Sequence, residues 1–383
     1  MSAMGAAKHG KNDLAFISLL RACAALLVVW DHLIGCWFDM AGKSWGPLEA
    51  VELFVNRPLG IDEHFGFFGV CLFFFISGFI ITHVAQREDR LAFGLKRVLR
   101  IYPPLIASVI LLPLIYHAWM RNWWVPDMFA HVTPKSQIWS FTLLNYFSPK
   151  FESVNAVAWT LAIEVLFYAL CLLLLPLVQR RPRLAMAIQL AFVAVVLNFA
   201  SSRAWVKPLA NNAAFLPCLL IGQTAYFLWA KRIRFRDGAL FTVVGYVLFV
   251  QGHRQLFPDR LMPDASRTIS MGFAYAIFIV AMLTTQEIRV PRLLRGVSEI
   301  SYSLYLLHIY IGLMILFTLN TRVPFEVNIA VTLTGVFGCS YLSWRFIERP
   351  SQSLARWLLA RRPSRMAGSK ISIPIGIEIR RAA

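Results

Sequence analysis

Residues 14–34, LAFISLLRACAALLVVWDHLI, decide how the rest of the chain is read. A helix of this length crosses a hydrocarbon core of about 30 Å, yet it carries Arg21, Asp31 and His32. Charge inside a span is costly, so an intramembrane Arg or His marks a functional site by default. Arg21 and His32 are eleven residues apart. At about 100° per residue they fall within about 20° of each other on one helical face, and roughly 16 Å apart along it. One helix thus presents a cation toward one membrane surface and a titratable base toward the other. The plainer alternative has Arg21 snorkelling to one interface and His32 resting at the opposite one.

The rest of the chain extends that pattern. Of 383 residues 58% are hydrophobic, and mean hydropathy is +0.60. A polytopic membrane protein needs such long apolar runs and a soluble domain does not. The net charge of +18 reads as Lys and Arg gathered in cytoplasmic loops, not as a nucleic-acid surface. No cleavable signal peptide is expected, because the first apolar run is of spanning length and no small-residue cleavage pattern follows. Cys23, Cys36, Cys71, Cys171, Cys218 and Cys339 lie in or beside apolar runs without C-x-x-C spacing. Neither a disulfide framework nor a metal site is expected from them.

Hydropathy predicts ten spans, near 14–34, 65–84, 101–120, 156–178, 184–200, 211–230, 238–251, 268–285, 299–319 and 326–346. An even number puts both termini on one side. Of the 38 Lys and Arg residues, 25 fall in one set of loops and 11 in the other, and the positive-inside rule makes the richer side cytoplasmic. The expected fold is an all-α polytopic membrane helix bundle of about ten transmembrane helices with both termini cytoplasmic. Residues 1–350 form the membrane domain, and 351–383 a basic cytoplasmic tail. That tail starts as an amphipathic stretch, SQSLARWLLARR, suited to an anionic leaflet, and then becomes unstructured. The first outer loop, 35–64, is acidic and aromatic. Within the second, 121–155, the apolar segment 137–147 is too short to span and is expected at the interface or re-entering. There is no internal repeat and no second soluble domain.

Orientation turns the polar residues into a depth map. Arg21 falls roughly 10 Å in from the cytoplasmic edge, His32 near the outer edge, Glu164 about 12 Å below the outer face and His308 near the midplane. Each has two readings. Glu164, in AWTLAIEVLFY, belongs to a reactive track or merely neutralises Arg21 or Arg345. His308, in ISYSLYLLH, is catalytic or donates a packing hydrogen bond. Ser77, in GFFGVCLFFFISGFI, is a candidate nucleophile without a G-x-S-x-G elbow, and with Gly66, Gly69 and Gly78 it better fits close helix packing. Ser301, Tyr302, Ser303 and Tyr305 fit interhelical packing. In FGLKRVLRIYPP, Lys96, Arg97 and Arg100 share a helical face and make either a phosphate clamp or an ordinary inner-leaflet anchor.

Taken in order, these segments resemble the integral-membrane acyltransferase family 3, O-acyltransferases acting on cell-surface sugars and some secondary metabolites. LRACAALLVVWDH (20–32), FGVCLFFFISGF (68–79), FGLKRVLRIYP (93–103), AWTLAIEVLFY (158–168), ISYSLYLLH (300–308) and ERP (348–350) carry the resemblance, which covers about 14–350. It implies an essential histidine at His32 paired with Arg21. It also implies acyl-donor contacts at Arg97 and Arg100, with Lys96 a weaker candidate, and a Trp–Glu motif at Trp159 and Glu164. Asp31, directly before the histidine, is not a fixed family feature. Only about thirty residues follow Pro350, so the appended SGNH-type esterase domain of some members is not expected.

The function expected is transfer of an acyl group, most simply acetyl, from cytoplasmic acyl-CoA to a carbohydrate hydroxyl. The enzyme would sit in a bacterial inner membrane, use no metal, bind no nucleic acid, and work on a surface or exported polysaccharide beside its biosynthesis or export machinery. His32 is the general base. Lys96, Arg97 and Arg100 hold the donor, Arg21 assists there or at the thioester oxyanion, and Glu164 orients a histidine or stabilises its cation. The rival is a proton-coupled secondary transporter with His and Glu as relay, which requires pseudo-symmetric halves and broken helices. A non-catalytic scaffold leaves the co-facial Arg21 and His32 unexplained.

Overall fold

The computed structural model describes residues 15–120, 129, 132–148, 150, 152–257, 264–284 and 289–361. Among them all regular structure is helical. In order, the main helices are α1 (Ala15–Trp30), α2 (Gly66–Ala85), α3 (Arg90–Met120), α4 (Trp159–Leu173), α5 (Pro182–Ser202) and α6 (Leu216–Trp229). They continue with α7 (Phe235–Leu256), α8 (Asp264–Thr284), α9 (Arg292–Leu319), α10 (Phe325–Ser343) and α11 (Arg349–Ala360). Eight helices among the described residues are long and apolar enough to cross a membrane. The two expected spans that fall short are neighbours, so the count stays even. The span expected at 211–230 is split: Pro208 and Pro217 each start a helix instead of continuing one, leaving α6 with only 14 residues. The other, α7, is longer but carries Arg236, Asp237 and Arg254 near its ends.

The bundle is organised around α2, whose sequence is apolar on every side. A helix of that kind belongs in the interior, and α2 is the most enclosed of the eight. Its small residues do what the sequence suggested. A Cβ on Gly78 would meet Leu219 O at 1.9 Å, and one on Gly222 would meet Phe75 O at 2.2 Å, so α2 and α6 touch backbone to backbone. Phe16, Phe79 and Phe278 then lock α1, α2 and α8 together edge to face, a geometry that adds to the area buried.

Three boundaries differ from expectation, each with consequences for the site. The first helix does not stop at residue 34. It passes through a π-helical turn, Asp31–Gly35, and runs on to Ala41. His32 is therefore about 25 Å from the helix start and about 14 Å from its end, deeper than the outer edge. The basic stretch 90–100 is no loop but the opening turns of α3, which at 31 residues is about 46 Å long and exceeds the hydrocarbon core. The expected tail begins as α11, packed along α3 after another π-turn, Trp344–Glu348. The unstructured part expected after it lies outside the described residues, as do Lys8 and Lys11. In the second outer loop, residues 134–147 form a helix and a 3-10 turn tied into the bundle through Asn155. Asn155 is fully buried and donates to Ser108 Oγ (3.1 Å) and Leu306 O (3.0 Å).

Candidate active site

The two histidines placed at different depths by the sequence meet in the structure. His32 Nδ1 is 2.9 Å from His308 Nε2, and the ring centroids are 5.0 Å apart. Arg21, on the same face of α1, opens onto a cavity lined by Ser301, Tyr302 and Tyr305 of α9. Low residue numbers on α1 thus face low numbers on α9, so the two helices run parallel. The His32 side chain keeps 28% of its exposure while His308 keeps none. His32 Nε2 lies 3.6 Å from Asp31 Oδ2. Asp31 in turn occupies space that a side chain on Gly66 would fill: a Cβ there would stand 2.0 Å from Oδ2.

The central cavity, about 70 Å³, joins Arg21 to Ser77, Arg100, Glu164 and Thr160 as well as the α9 residues. It has room for a handful of waters or a small acyl group. Glu164 Oε1 accepts from Ser77 Oγ (3.0 Å) and Tyr168 OH (2.5 Å). Its expected part in orienting a histidine is corrected here: the partners of His32 are His308, the Val28 carbonyl and Asp31. Arg345, the other expected counter-ion, is exposed on the π-turn before α11, over Phe346. The charges acting on Arg21 are Arg100, Glu164 and Glu348. Trp159 packs on Phe74 and Phe215 beside the cavity instead of lining it. Ser77 has a carboxylate as its acceptor, and no histidine among its hydrogen-bond partners.

A second cavity, about 220 Å³, lies at the start of α3 and is lined by Lys96, Arg97, Arg100, Gln352, Ala355 and Arg356. The three basic residues do share it, though not equally. Lys96 Nζ is 2.7 Å from Glu88 Oε1, and Arg97 Nη2 is 3.6 Å from Glu88 Oε2. Arg97 is buried between Phe93 and Tyr168, and its Nε has no hydrogen-bond partner. Arg100 reaches both cavities. At the far side of the central cavity, the Tyr305 hydroxyl is 2.9 Å from Thr160 Oγ1, and the Tyr305 carbonyl is 2.8 Å from His308 Nδ1. Basic cavity, Arg100, central cavity, Tyr305 and the histidine pair therefore follow one another through the bundle.

Sequence reasoning missed several of these residues. Glu348 lies in the ERP segment that ends the family resemblance and carries no expected role of its own. It is buried on the π-turn before α11, accepting from Ser303 Oγ (2.8 Å) and Gln352 Nε2 (3.1 Å). Glu88, Gln352 and Arg356 carried no signal beyond their charge or polarity. The outer loop contributes a polar shelf over the π-turn of α1. His64, at a left-handed φ of 61°, lies between Asp39 (3.1 Å) and Glu52 (3.3 Å) and against Gly35. Next to it, burial pushes the Asp62 carboxyl above the usual carboxylate range, opposed by hydrogen bonds from Ser270 and the Phe67 N–H. Among the described residues no group of His, Cys, Asp and Glu is arranged to hold a metal.

Comparison with known proteins bears on this geometry. A family profile described as an acyltransferase domain matches residues 14–345. Nodulation protein 10 of Rhizobium leguminosarum bv. viciae is 25% identical over 386 residues, covering 93% of this chain and 98% of that protein. O-acetyltransferase OatA of Staphylococcus aureus is 26% identical over 321 residues, covering 74% of this chain and 52% of OatA, so the match spans about half of the relative's length. No solved structure matches the chain.

Proposed function

This chain belongs to the acyltransferase family whose profile spans residues 14–345, and on that premise we propose that it moves an acetyl group from cytoplasmic acetyl-CoA to a carbohydrate hydroxyl. The observation that carries the proposal is the succession of two cavities that share Arg100, the central one lined by Tyr305, whose carbonyl holds the buried member of the histidine pair. Along that route the central cavity sets Arg21 and Arg100 against Glu164 among apolar side chains. The basic cavity at the inner mouth gathers four cations, one of them a buried guanidinium with an unpartnered Nε, as suits an anionic nucleotide. The nucleotide of CoA rests against Lys96, Arg97, Arg100 and Arg356, and the pantetheine arm extends past Arg100 toward Tyr305. Because His32 is well inside its helix, the arm has less distance to cover than a histidine at the outer edge would demand.

In the transfer, the acceptor hydroxyl gives its proton to His32 while its oxygen bonds to the thioester carbon. The C–S bond then breaks and the CoA thiolate leaves toward the basic cavity. Arg21 and Arg100 supply positive charge along the donor's path, and Glu164 with Glu348 keeps those buried cations compensated. The printed name of OatA supports acetyl as the group. The acceptor is a surface or exported saccharide, and the membrane a bacterial inner membrane with both termini cytoplasmic. The exposed apolar residues Leu354, Trp357 and Leu358 of α11 rest on its inner leaflet. A transporter relay finds no support, since no hydrogen bond joins Glu164 to either histidine among the described residues.

The test is turnover of radiolabelled acetyl-CoA by the purified protein in lipid nanodiscs, wild type beside His32→Ala, following hydrolysis and label retained on protein. Loss of turnover by about 10²- to 10⁴-fold, with donor binding intact, is the expected result. Label retained on the wild type would identify an acyl-enzyme on the route. Turnover unchanged by the substitution would remove His32 from the chemistry.

A further inference from the structure

His308 is sealed from solvent, and the mechanism above leaves it unused. Its hydrogen bonds nonetheless determine what His32 can do. His308 Nδ1 lies 3.0 Å from the Leu304 carbonyl and 2.8 Å from the Tyr305 carbonyl. A carbonyl oxygen only accepts, so Nδ1 carries the proton, and in a neutral ring Nε2 then carries the lone pair. His32 Nδ1 stands 2.9 Å from that Nε2 and 3.1 Å from the Val28 carbonyl. Both neighbours are acceptors, so His32 Nδ1 is protonated as well. The lone pair of His32 falls by elimination on Nε2.

We propose that His308 is a positioning residue: with its Nδ1 proton held by two backbone carbonyls, its Nε2 fixes His32 as the Nδ1–H tautomer and so selects Nε2 of His32 as the nitrogen that receives the acceptor's proton. The inference rests on the reading of His32 as the base. When the hydroxyl proton arrives on Nε2, the new N–H faces Asp31 Oδ2, 3.6 Å away, and the imidazolium has a carboxylate on one side and the His308 acceptor on the other. A chain of neutral donors and acceptors thus does for His32 what a buried carboxylate does for the histidine of a hydrolytic triad. The difference in exposure fits the division of labour: the partly exposed ring meets substrate and the buried ring does not.

The test pairs two substitutions with a readout independent of turnover. His308→Leu removes the acceptor in similar volume, whereas His308→Gln keeps an oxygen to accept from His32 and an amide to donate to the carbonyls. Histidine ¹⁵N shifts are measured on [¹⁵N]His-labelled protein, with His32 assigned by its loss in His32→Ala. The wild type should show His32 with a protonated Nδ1 and a bare Nε2. His308→Leu should mix the tautomers and lower kcat by about 10- to 100-fold, the scale on which a residue that orients a reacting imidazole through a hydrogen bond acts, with KM for acetyl-CoA unchanged. His308→Gln should recover most of both. A wild-type His32 protonated on Nε2 overturns the proposal whatever the rates. So does a His308→Leu enzyme with undiminished kcat, and that result would leave the proposed function standing if His32→Ala is inactive. A fully active His32→Ala enzyme overturns both together.

Discussion

The histidine pair and the basic cavity are built on opposite principles. At the pair, the rings hold one another at 2.9 Å and are anchored by backbone carbonyls, with the Asp31 carboxylate 3.6 Å from His32 Nε2. At the cavity, Lys96 and Arg97 share Glu88, while Arg100 feels Glu164 and Glu348. The first arrangement fixes geometry, because a hydrogen bond between buried groups has one good orientation and is costly to leave unmade. The second supplies charge, which acts over several ångströms and tolerates a moving ligand. On the proposed function, chemistry belongs at the rigid end and binding at the adaptable one. Substitutions should therefore separate kcat from KM according to the end they touch.

Arg100 is where the separation should fail. It lines both cavities, so Arg100→Gln removes a contact of the proposed donor and also leaves Glu164 and Glu348 with Arg21 as their remaining shared cation. Breaking a buried charge cluster costs about 3–5 kcal/mol. The expected outcome is a fall in kcat/KM of roughly 10²-fold or more, divided between the two constants, in steady-state assays over a range of acetyl-CoA. A change confined to KM would mean that the two cavities work independently.

The two ends also differed in how far the sequence disclosed them. The co-facial Arg21 and His32 were legible because helical periodicity fixes where side chains point, and the small residues of α2 announced close packing. The meeting of His32 with His308 was not legible. Hydropathy placed the end of α1 at residue 34, but the chain inserts a π-turn and continues, which sets His32 deeper in the bundle. Apolar residues on both sides of the turn gave no sign of it. Glu164 carried a clear polar signal, yet no sequence rule says which of several buried cations or histidines a carboxylate will face. Lys96 and Arg97 share a face by their spacing, while Glu88, which occupies them, lies in the short connection before α3, where no periodicity says which way a side chain points. Glu348 lies beyond the last expected span, and is buried between α9 and α11.

A smaller effect tests the rigid end alone. Gly66 leaves room for the Asp31 carboxylate, and a methyl group there would stand 2.0 Å from Oδ2. Gly66→Ala should push Asp31 away from His32 Nε2, lowering kcat by about tenfold, the scale on which outer-shell partners act, without altering KM for acetyl-CoA. Asp31→Asn, which keeps the volume and loses the charge, distinguishes displacement from packing. If Asp31→Asn matches the wild type while Gly66→Ala is impaired, the carboxylate has no part in stabilising the protonated ring.

The smallest effect belongs to the adaptable end and falls outside the region the family profile covers. Arg356 is carried by α11, beyond residue 345, and lines the basic cavity with Gln352. Its guanidinium bonds only to Ser353 Oγ of its own helix among the hydrogen bonds of the described residues, at 2.8 Å, so it faces the cavity less compensated than Lys96 or Arg97. It is also exposed, and an exposed ionic contact contributes about 0.2–1 kcal/mol. Arg356→Ala should therefore raise KM for acetyl-CoA by only a few-fold and leave kcat unchanged. Raising the salt from 50 to 500 mM should erase most of the difference, because a charge in open solvent is screened over about a Debye length. A salt-insensitive rise in KM would point instead to α11 shifting on α3, and a fall in kcat would mean that the tail helix takes part in the chemistry as well as the binding.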